Sequence, residues 1–435
     1  LPLATQAAGA ILEYLESHQK DALLGITNLQ TYSVNEFMVL DRQTRRNLEL
    51  FLAGRWDSDE SSLFSILDRT STPMGGRLLQ TWIGKPLLSV SDIEMRQEAV
   101  EWFFSSETRR RNVMEILKNI SDLERLSTKV ATRRATPRDL IGITKSISII
   151  PNLIDLLSNG DDSHKIHFAR DIFRDHSELL TTLSSALNDD PPTTVGDGNA
   201  IKPGYSKELD KLKGELFAAQ KQMASLESNE REKTGIKTLK VGFNRVFGYY
   251  IEVSRSHVDS VPEHYVRKQT LVGGERYITP RMKELEAQIL TARDRISFME
   301  SEVFSKICEV VSLEVSKLKQ SAEALALIDV FNSFAVVAQN ENYTKPNLNR
   351  SGRIHIEEGR HPVVENITTK SMFISNDTDL NLEESQIIIL TGPNMSGKST
   401  YLRQVGLITL MAQIGSYVPA KSADIGVVDR IFTRV

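Results

Sequence analysis

From the first residue to about Asn188, apolar positions recur three and four apart, as in Leu63, Ile66 and Leu67, with few β-branched alternations. This half of the chain therefore predicts helices almost throughout. Pro73 ahead of Gly75 and Gly76 reads as a turn leading into a helix around Leu78, Leu79 and Trp82, and Thr136-Pro137 marks another helix start. Residues 188–199, rich in Asp, Pro and Gly, read as a solvated loop. Beyond them, Leu209, Leu212, Leu216, Met223 and Leu226 fit one stripe of a long helix over 206–232. Met282, Leu285, Ile289, Ala292, Ile296, Met299 and Val303 alternate steps of three and four, the seam of a coiled coil. An arm of ~25–30 residues would reach ~40 Å. Two such helices in one chain predict an antiparallel arm with something at its tip.

Between the two helices the period changes to two. Residues 239–244 and 249–254 alternate strictly around a tight turn at 245–248, which predicts a β-hairpin. A further extended pair, 265–270 and 275–279, is joined through Gly273 and Gly274. Over 235–283 there are nine basic residues and four acidic ones, so this segment carries +5 and the rest of the chain −9. A basic β tip with Gly-rich turns reads as a contact surface for the phosphate backbone of DNA. The same composition also fits a solvated hairpin face.

A third style begins after Tyr343. An extended segment at 353–357 is followed by the short, fully apolar run 386–390, which predicts a strand of a parallel sheet. Directly after it stand Gly392, Pro393, Asn394, Met395, Ser396, Gly397, Lys398 and Ser399, a full Gly-x-x-x-x-Gly-Lys-Ser phosphate loop, and a helical pattern continues from Thr400 to Met411. In such a loop backbone N–H groups converge on phosphates at a helix N-terminus, where partial positive charge already favours an anion. Lys398 adds a point charge at the β and γ phosphates and Ser399 an oxygen ligand for Mg²⁺. ATP and Mg²⁺ are the implied cofactors. Hydrolysis needs a further acid at the end of an apolar strand, and the acids downstream, Asp424 and Asp429, read as surface or turn residues.

Composition narrows the picture. A chain of 435 residues predicts two to four domains, and 40% hydrophobic with 25% charged residues at a mean hydropathy of −0.26 excludes a disordered chain and a membrane bundle. No stretch reads as the ~18–20 apolar residues of a membrane span. The overall charge of −4 means that any affinity for nucleic acid comes from a local patch. A single cysteine, Cys308, excludes an intrachain disulfide and a cysteine-built zinc site, and no histidine pair has metal-ligand spacing. The start at Leu1 and the end inside the apolar run 429–435 read as those of a fragment.

Several motifs in order resemble the MutS family of DNA mismatch-repair proteins. Thr-Gly-Pro-Asn-Met-Ser-Gly-Lys-Ser-Thr-Tyr-Leu-Arg-Gln at 391–404, with 413–420 and 429–434, is similar to the family's ATPase domain, which Glu-Gly-Arg-His-Pro-Val-Val-Glu at 358–365 opens. Residues 41–49, 67–77 and 134–139 resemble its helical core, and 242–251, 267–270 and 275–277 its DNA clamp. The resemblance implies a multidomain, mainly α fold: helical core and first lever over 1–219, β-rich clamp over 220–280, returning lever and core over 281–342, and the start of an α/β ABC-type P-loop ATPase over 343–435. It implies DNA-backbone contacts from Asn244, Arg245, Lys268, Gly273, Gly274 and Arg276, and adenine contact from Phe373 and Ile374, where the match reverses the preference for core that Phe373 has on sequence alone. It implies double-stranded DNA, a homodimer and a MutL-type protein as partners, and the cytoplasm, at the nucleoid in a bacterium, as location. The family's mismatch-reading domain would precede Leu1, and its Walker B strand, signature loop and catalytic-water histidine would follow Val435, so this span alone is expected to be inactive. Ser396, where some members have Gly, changes nothing.

The expected function is mismatch recognition by an ATP-dependent clamp. A MutS-like clamp that holds recombination intermediates without reading mismatches is the alternative, and another long-armed ABC-type ATPase is remoter. Arg45, Arg46 and Arg77 read as solvated or salt-bridged, His361 as a structural loop histidine, and Trp82, Tyr249 and Tyr250 as core and sheet packing.

Overall fold

The computed structural model describes residues 2–19, 23, 26, 31, 36–51, 62–159, 162–244, 246, 248–367, 373–394 and 396–434. Its main helices are α1 (Pro73–Gly84), α2 (Val90–Phe104), α3 (Glu107–Leu117), α4 (Leu123–Ala131), α5 (Pro137–Ser158), α6 (Lys207–Thr234), α7 (Pro280–Leu313), α8 (Val315–Glu341) and α9 (Lys398–Gln413). The principal strands are β1 (Lys240–Asn244), β2 (Gly248–Ser254), β3 (Val266–Thr270), β4 (Gly274–Ile278), β5 (Asn347–Asn349), β6 (Ile354–Gly359), β7 (Asn376–Leu380) and β8 (Ser422–Gly426). The chain divides into two units. One is Leu1–Arg134, Gly142–Ser177 and Leu313–Val435, and the other is Ala135–Ile141 and Glu178–Ser312.

In the first unit α8 is the central helix, with α1 to α4 packed around it. Buried residues lie on every side of it, including Phe331 and Phe334, against which Trp82 of α1 packs with ring centroids 5.5 and 6.2 Å away. That surround explains a departure from the sequence reading. α8 is long and apolar enough to cross a membrane by length and composition, as is α5, but 83% of its most apolar window is inside the protein. Its hydropathy is that of a core helix enclosed by others.

One acid on α8 fixes where α1 begins. Asp329 is buried and accepts hydrogen bonds from Ser71 N, Thr72 N and Thr72 Oγ1. Thr72 is the N-cap of α1, accepting from Gly75 N at 3.0 Å, and Pro73 stands at the start of the helix. The glycine pair thus lies inside the first turn of α1 and not in a turn before it. A Cβ at Gly75 would run into the Asp329 carboxylate. Arg77, expected to be solvated or paired, is paired with Asp122 at 2.8 Å and with Glu124.

The four-stranded sheet of this unit has the order β5-β8-β6-β7, with β5 and β8 parallel and the other pairs antiparallel. The strand expected at 386–390 is overturned. Residues 386–390 form no strand: Ile387 and Ile389 are each 83% exposed, and none of the described strands pairs with them. An apolar run becomes a strand only where a neighbour supplies its ladder. Asp424, read as a surface or turn residue, is the half-exposed middle of β8 and accepts from Asn347 and Asn349 at 2.8 and 2.6 Å.

In the second unit α6 is capped by Ser206, whose side chain accepts from Leu209 N, and ends at Gly235 in the left-handed region. On α7 the buried stripe runs Met282, Leu285, Ile289, Ala292, Ile296, Glu300, Phe304, Ile307 and Val311. Beyond Ile296 it departs from the predicted seam, and Met299 and Val303 are only half-buried. A straight α-helix drifts against a strict seven-residue repeat, which moves the stripe by one position. Glu300 occupies that position because its carboxylate accepts from the N–H groups of Gly196, Gly198, Ala200 and Ile201. The segment read as a solvated loop is therefore strapped to α7, with Pro191, Gly198, Ala200 and Ile201 buried.

The Asp329 carboxyl is pushed up from 3.8 to about 6 because burial outweighs the three donors that favour its charged form. Its folded value exceeds its unfolded one, so its contribution to stability is present below about pH 4 and is lost as the pH rises through about 6. Denaturant unfolding of the protein and of Asp329→Asn across pH 4–7 is expected to show the difference between them changing by at most ~3 kcal/mol over that window, against the unvaried protein as pH rises.

Candidate functional site

Two regions hold the candidate chemistry, one in each unit. In the second unit the basic segment folds as a four-stranded antiparallel sheet of order β1-β2-β4-β3. Its alternation puts Ile251, Val253 and Tyr277 on one face, where they join Met223 and Leu226 of α6 and Met282, Leu285 and Ile289 of α7 in a single buried cluster. Strand periodicity places Lys240, Tyr250, Glu252 and Arg276 on the opposite face. There the Arg276 guanidinium lies 4.1 Å from the centre of the Tyr250 ring and pairs with Glu252 at 3.0 Å. It also donates to Gln269 at 3.1 Å. Tyr277 donates to Glu275 at 2.6 Å, and burial with that carboxylate pushes its phenol up to about 12.

The residues expected to touch DNA differ in situation. Lys268 is exposed and is the extra residue of a β-bulge, where the register slips between Arg267 and Gln269. Gly273 is exposed and its carbonyl accepts from Arg255 N, whereas Gly274 is buried so close to the Val253 carbonyl that a Cβ there would collide with it. Asn244 ends β1 and its side chain accepts from Val246 N at 2.7 Å, an Asx turn. Arg276 is braced within the sheet, and Arg245 lies outside the described residues. Arg267 and Arg281 pair with Glu275 and Glu284. Lys237, Lys240, Arg255 and Lys283, together with Lys268, are exposed without a carboxylate partner among the described residues. Sequence reasoning counted their charge but could not tell paired cations from unpaired ones.

In the first unit α9 begins at Lys398 behind Gly397, which has φ 91° and gives no side-chain cap. Gly392, at φ 155°, also adopts a conformation that side chains avoid. The first N–H groups of a 16-residue helix are thus left for an anion, which fits a nucleotide phosphate. Lys398 Nζ turns back to donate to the carbonyls of Gly392 and Pro393 at 2.6 and 2.5 Å, so its ammonium sits inside the loop. Asn394, Ser396 and Ser399 are exposed along it, Thr400 is half-exposed, and Met395 lies outside the described residues. Phe373 is half-buried and Ile374 is 84% exposed, just ahead of β7. Tyr401 in the first turn of α9 ties that strand to the loop: its hydroxyl accepts from Thr378 at 3.0 Å and donates to the Asp377 carbonyl. Tyr401 is a positioning group that the motif alone did not reveal. His361 is buried, and burial with nearby Arg403 lowers its imidazole to about 4, so it stays neutral and structural at physiological pH.

Comparison with known proteins gives matches over the whole chain. The family profile described as MutS domain III matches residues 43–335, and that described as MutS domain V matches residues 388–435. The chain is 49% identical over 435 residues to the DNA mismatch repair protein MutS of Acetivibrio thermocellus, covering 100% of this chain and 50% of that protein. It is 47% identical over 436 residues to the protein of that name from Salinibacter ruber, covering 100% of this chain and 48% of the other. With the one from Ruminiclostridium cellulolyticum it shares 48% over 433 residues, 100% of this chain and 50% of the other. The chain spans about half the length of these curated relatives.

Replacing Gly274 by Ala should push β4 off β2, because the new methyl group would run into the backbone of Val253 and Ser254. The expected cost is ~1–3 kcal/mol, as in other overpacked interiors, read as a lowered midpoint in denaturant unfolding, while Gly273→Ala, with open space around it, should change the midpoint little.

Proposed function

The chain belongs to the MutS family, and we propose that it forms the core, DNA clamp and first part of the ATPase of a longer protein that recognises DNA mismatches and initiates their repair. The observation that supports this most is a group of exposed cations with no carboxylate partner among the described residues: Lys240 and Lys268 on strands of a small sheet built onto two long helices, Lys237 and Arg255 in the segments flanking those strands, and Lys283 in the first turn of α7. Lys and Arg on such a sheet release counterions from duplex DNA whatever its sequence, which suits a clamp that must slide before it reads. The shared name of the relatives favours mismatch repair over a clamp that only holds recombination intermediates.

In this reading residues 1–219 are core and first lever, 220–280 the clamp, 281–342 the returning lever and 343–435 the start of the ATPase domain. Asn244, Arg245, Lys268 and Gly273 touch the DNA backbone, Gly274 supports the turn from its buried place against β2, and Arg276 acts by holding Tyr250 and Glu252 in the sheet. Gly392 through Thr400 cradle the phosphates of ATP, with Lys398 as their charge partner and Ser399 as the Mg²⁺ ligand, and Phe373 and Ile374 lie against the adenine. ATP binding and clamp opening are coupled through the helices that join the two regions in sequence. The working protein is a DNA-dependent ATPase, a homodimer and a partner of a MutL-type protein, in the cytoplasm. The span 1–435 alone turns over little ATP, since it supplies a phosphate cradle without a placed acid to hold the metal from the other side.

The full-length protein carrying Lys398→Ala tests this. Its ATP affinity is expected to fall ~10–100-fold, the ~1.5–3 kcal/mol of a hydrogen bond to a charged group, and DNA-stimulated turnover should vanish while duplex binding without nucleotide is unchanged. Turnover that survives the substitution would refute the assignment of the ATP site.

A further inference from the structure

The free edge of the small sheet is closed by side chains of the long helices. β1 ends the order β1-β2-β4-β3, and α6 supplies what a further strand would have supplied. Glu227 accepts from Val241 N at 2.9 Å, Arg231 donates to the Leu239 carbonyl at 2.6 Å, and the two side chains pair with each other at 2.7 Å. At the other end of the hairpin Glu286 of α7 accepts from Tyr249 N at 3.1 Å. Gly248 has φ 76°, and any side chain there would run into the Glu286 carboxylate. Glu286 lies between Leu285 and Ile289 of the buried stripe of α7, so its backbone is held by packing. Among the described residues it pairs with no cation.

An acid without a cation partner beside a surface that binds phosphates weakens that binding by Coulomb repulsion, unless its geometry contributes more than its charge costs. We propose that Glu286 is a positioning residue for DNA binding: by accepting the Tyr249 N–H it fixes the start of β2 to α7, while the Glu227–Arg231 pair fixes the start of β1 to α6. Rotation of either helix about its axis then moves strands β1 and β2 with it. This rests on the duplex-binding reading of the sheet given above.

The two effects have opposite signs, which makes the inference testable in the full-length protein with a mismatch-free duplex over a range of salt. Glu286→Ala removes a negative charge and the acceptor together. Positioning predicts that binding weakens by about fivefold, one net hydrogen bond's worth, at every salt concentration, with the slope of log affinity against log salt unchanged because no cation is lost. Glu286→Gln keeps an oxygen acceptor and should restore the affinity. Glu286→Asp keeps the charge but withdraws the acceptor, and it should weaken binding even if the alanine variant loses its fold. Lys268→Ala is the control, expected to lower the slope by about 1. Unchanged or tighter binding by Glu286→Ala or Glu286→Asp, or a glutamine variant as weak as the alanine one, overturns the positioning role while leaving the duplex reading intact. A Lys268→Ala protein with unaltered affinity and slope overturns the duplex reading and the inference with it.

Discussion

The small β sheet has no core of its own. One apolar face of four short strands cannot exclude water by itself, and Ile251, Val253 and Tyr277 are buried only because Met223, Leu226, Met282, Leu285 and Ile289 of two long helices complete the cluster. At ~25 cal/mol per Å² this shared burial is the main term that holds the module folded. The sheet's position is therefore a property of the helices under it. Polar contacts at its edge, from Glu227, Arg231 and Glu286, add direction to what burial supplies as affinity. The opposite face is left to charge, and there Arg276 is consumed in bracing Tyr250 and Glu252 while Lys240 has no carboxylate partner among the described residues.

The same economy of buried polar groups recurs elsewhere. Asp329 and Glu300 are acids with almost no exposure, and each gathers N–H donors from a segment far away in sequence. A buried carboxylate is costly unless its oxygens are satisfied, and both are satisfied by backbone at positions where a helix or loop must start in a fixed place. Asp329 sets the first turn of α1, and Glu300 straps residues 196–201 to α7. At the phosphate loop the order is reversed: Gly397 leaves the start of α9 uncapped, so donors stand available. That uncapped start is where the proposed phosphate site lies.

Features governed by period were legible in the sequence. The 3.5-residue stripe of α7 and the two-residue alternation of β1 and β2 are local consequences of burying one face, and both were found from residue types alone. The features that escaped depend on partners distant in sequence. A glutamate in an apolar seam reads as surface, so nothing announced that Glu300 would replace Met299. The loop at 188–199 looked solvated because its donors are backbone groups, which no residue type displays. The run 386–390 read as a strand from its isoleucines, but a strand is a relation between two segments, and the described residues hold no second one. At the candidate site, charge was legible and pairing was not, which is why Arg276 and Lys268 looked alike before their neighbours were known.

Hydrogen exchange on the full-length protein, with and without duplex DNA, tests most directly whether this sheet is the DNA-facing element. Backbone amides of β1 to β4 and of the turns between them should exchange more slowly when duplex is bound, with the bulge at Lys268 among the protected sites. Saturating duplex that leaves exchange over 240–278 unchanged, while protecting other parts of the protein, would contradict the account.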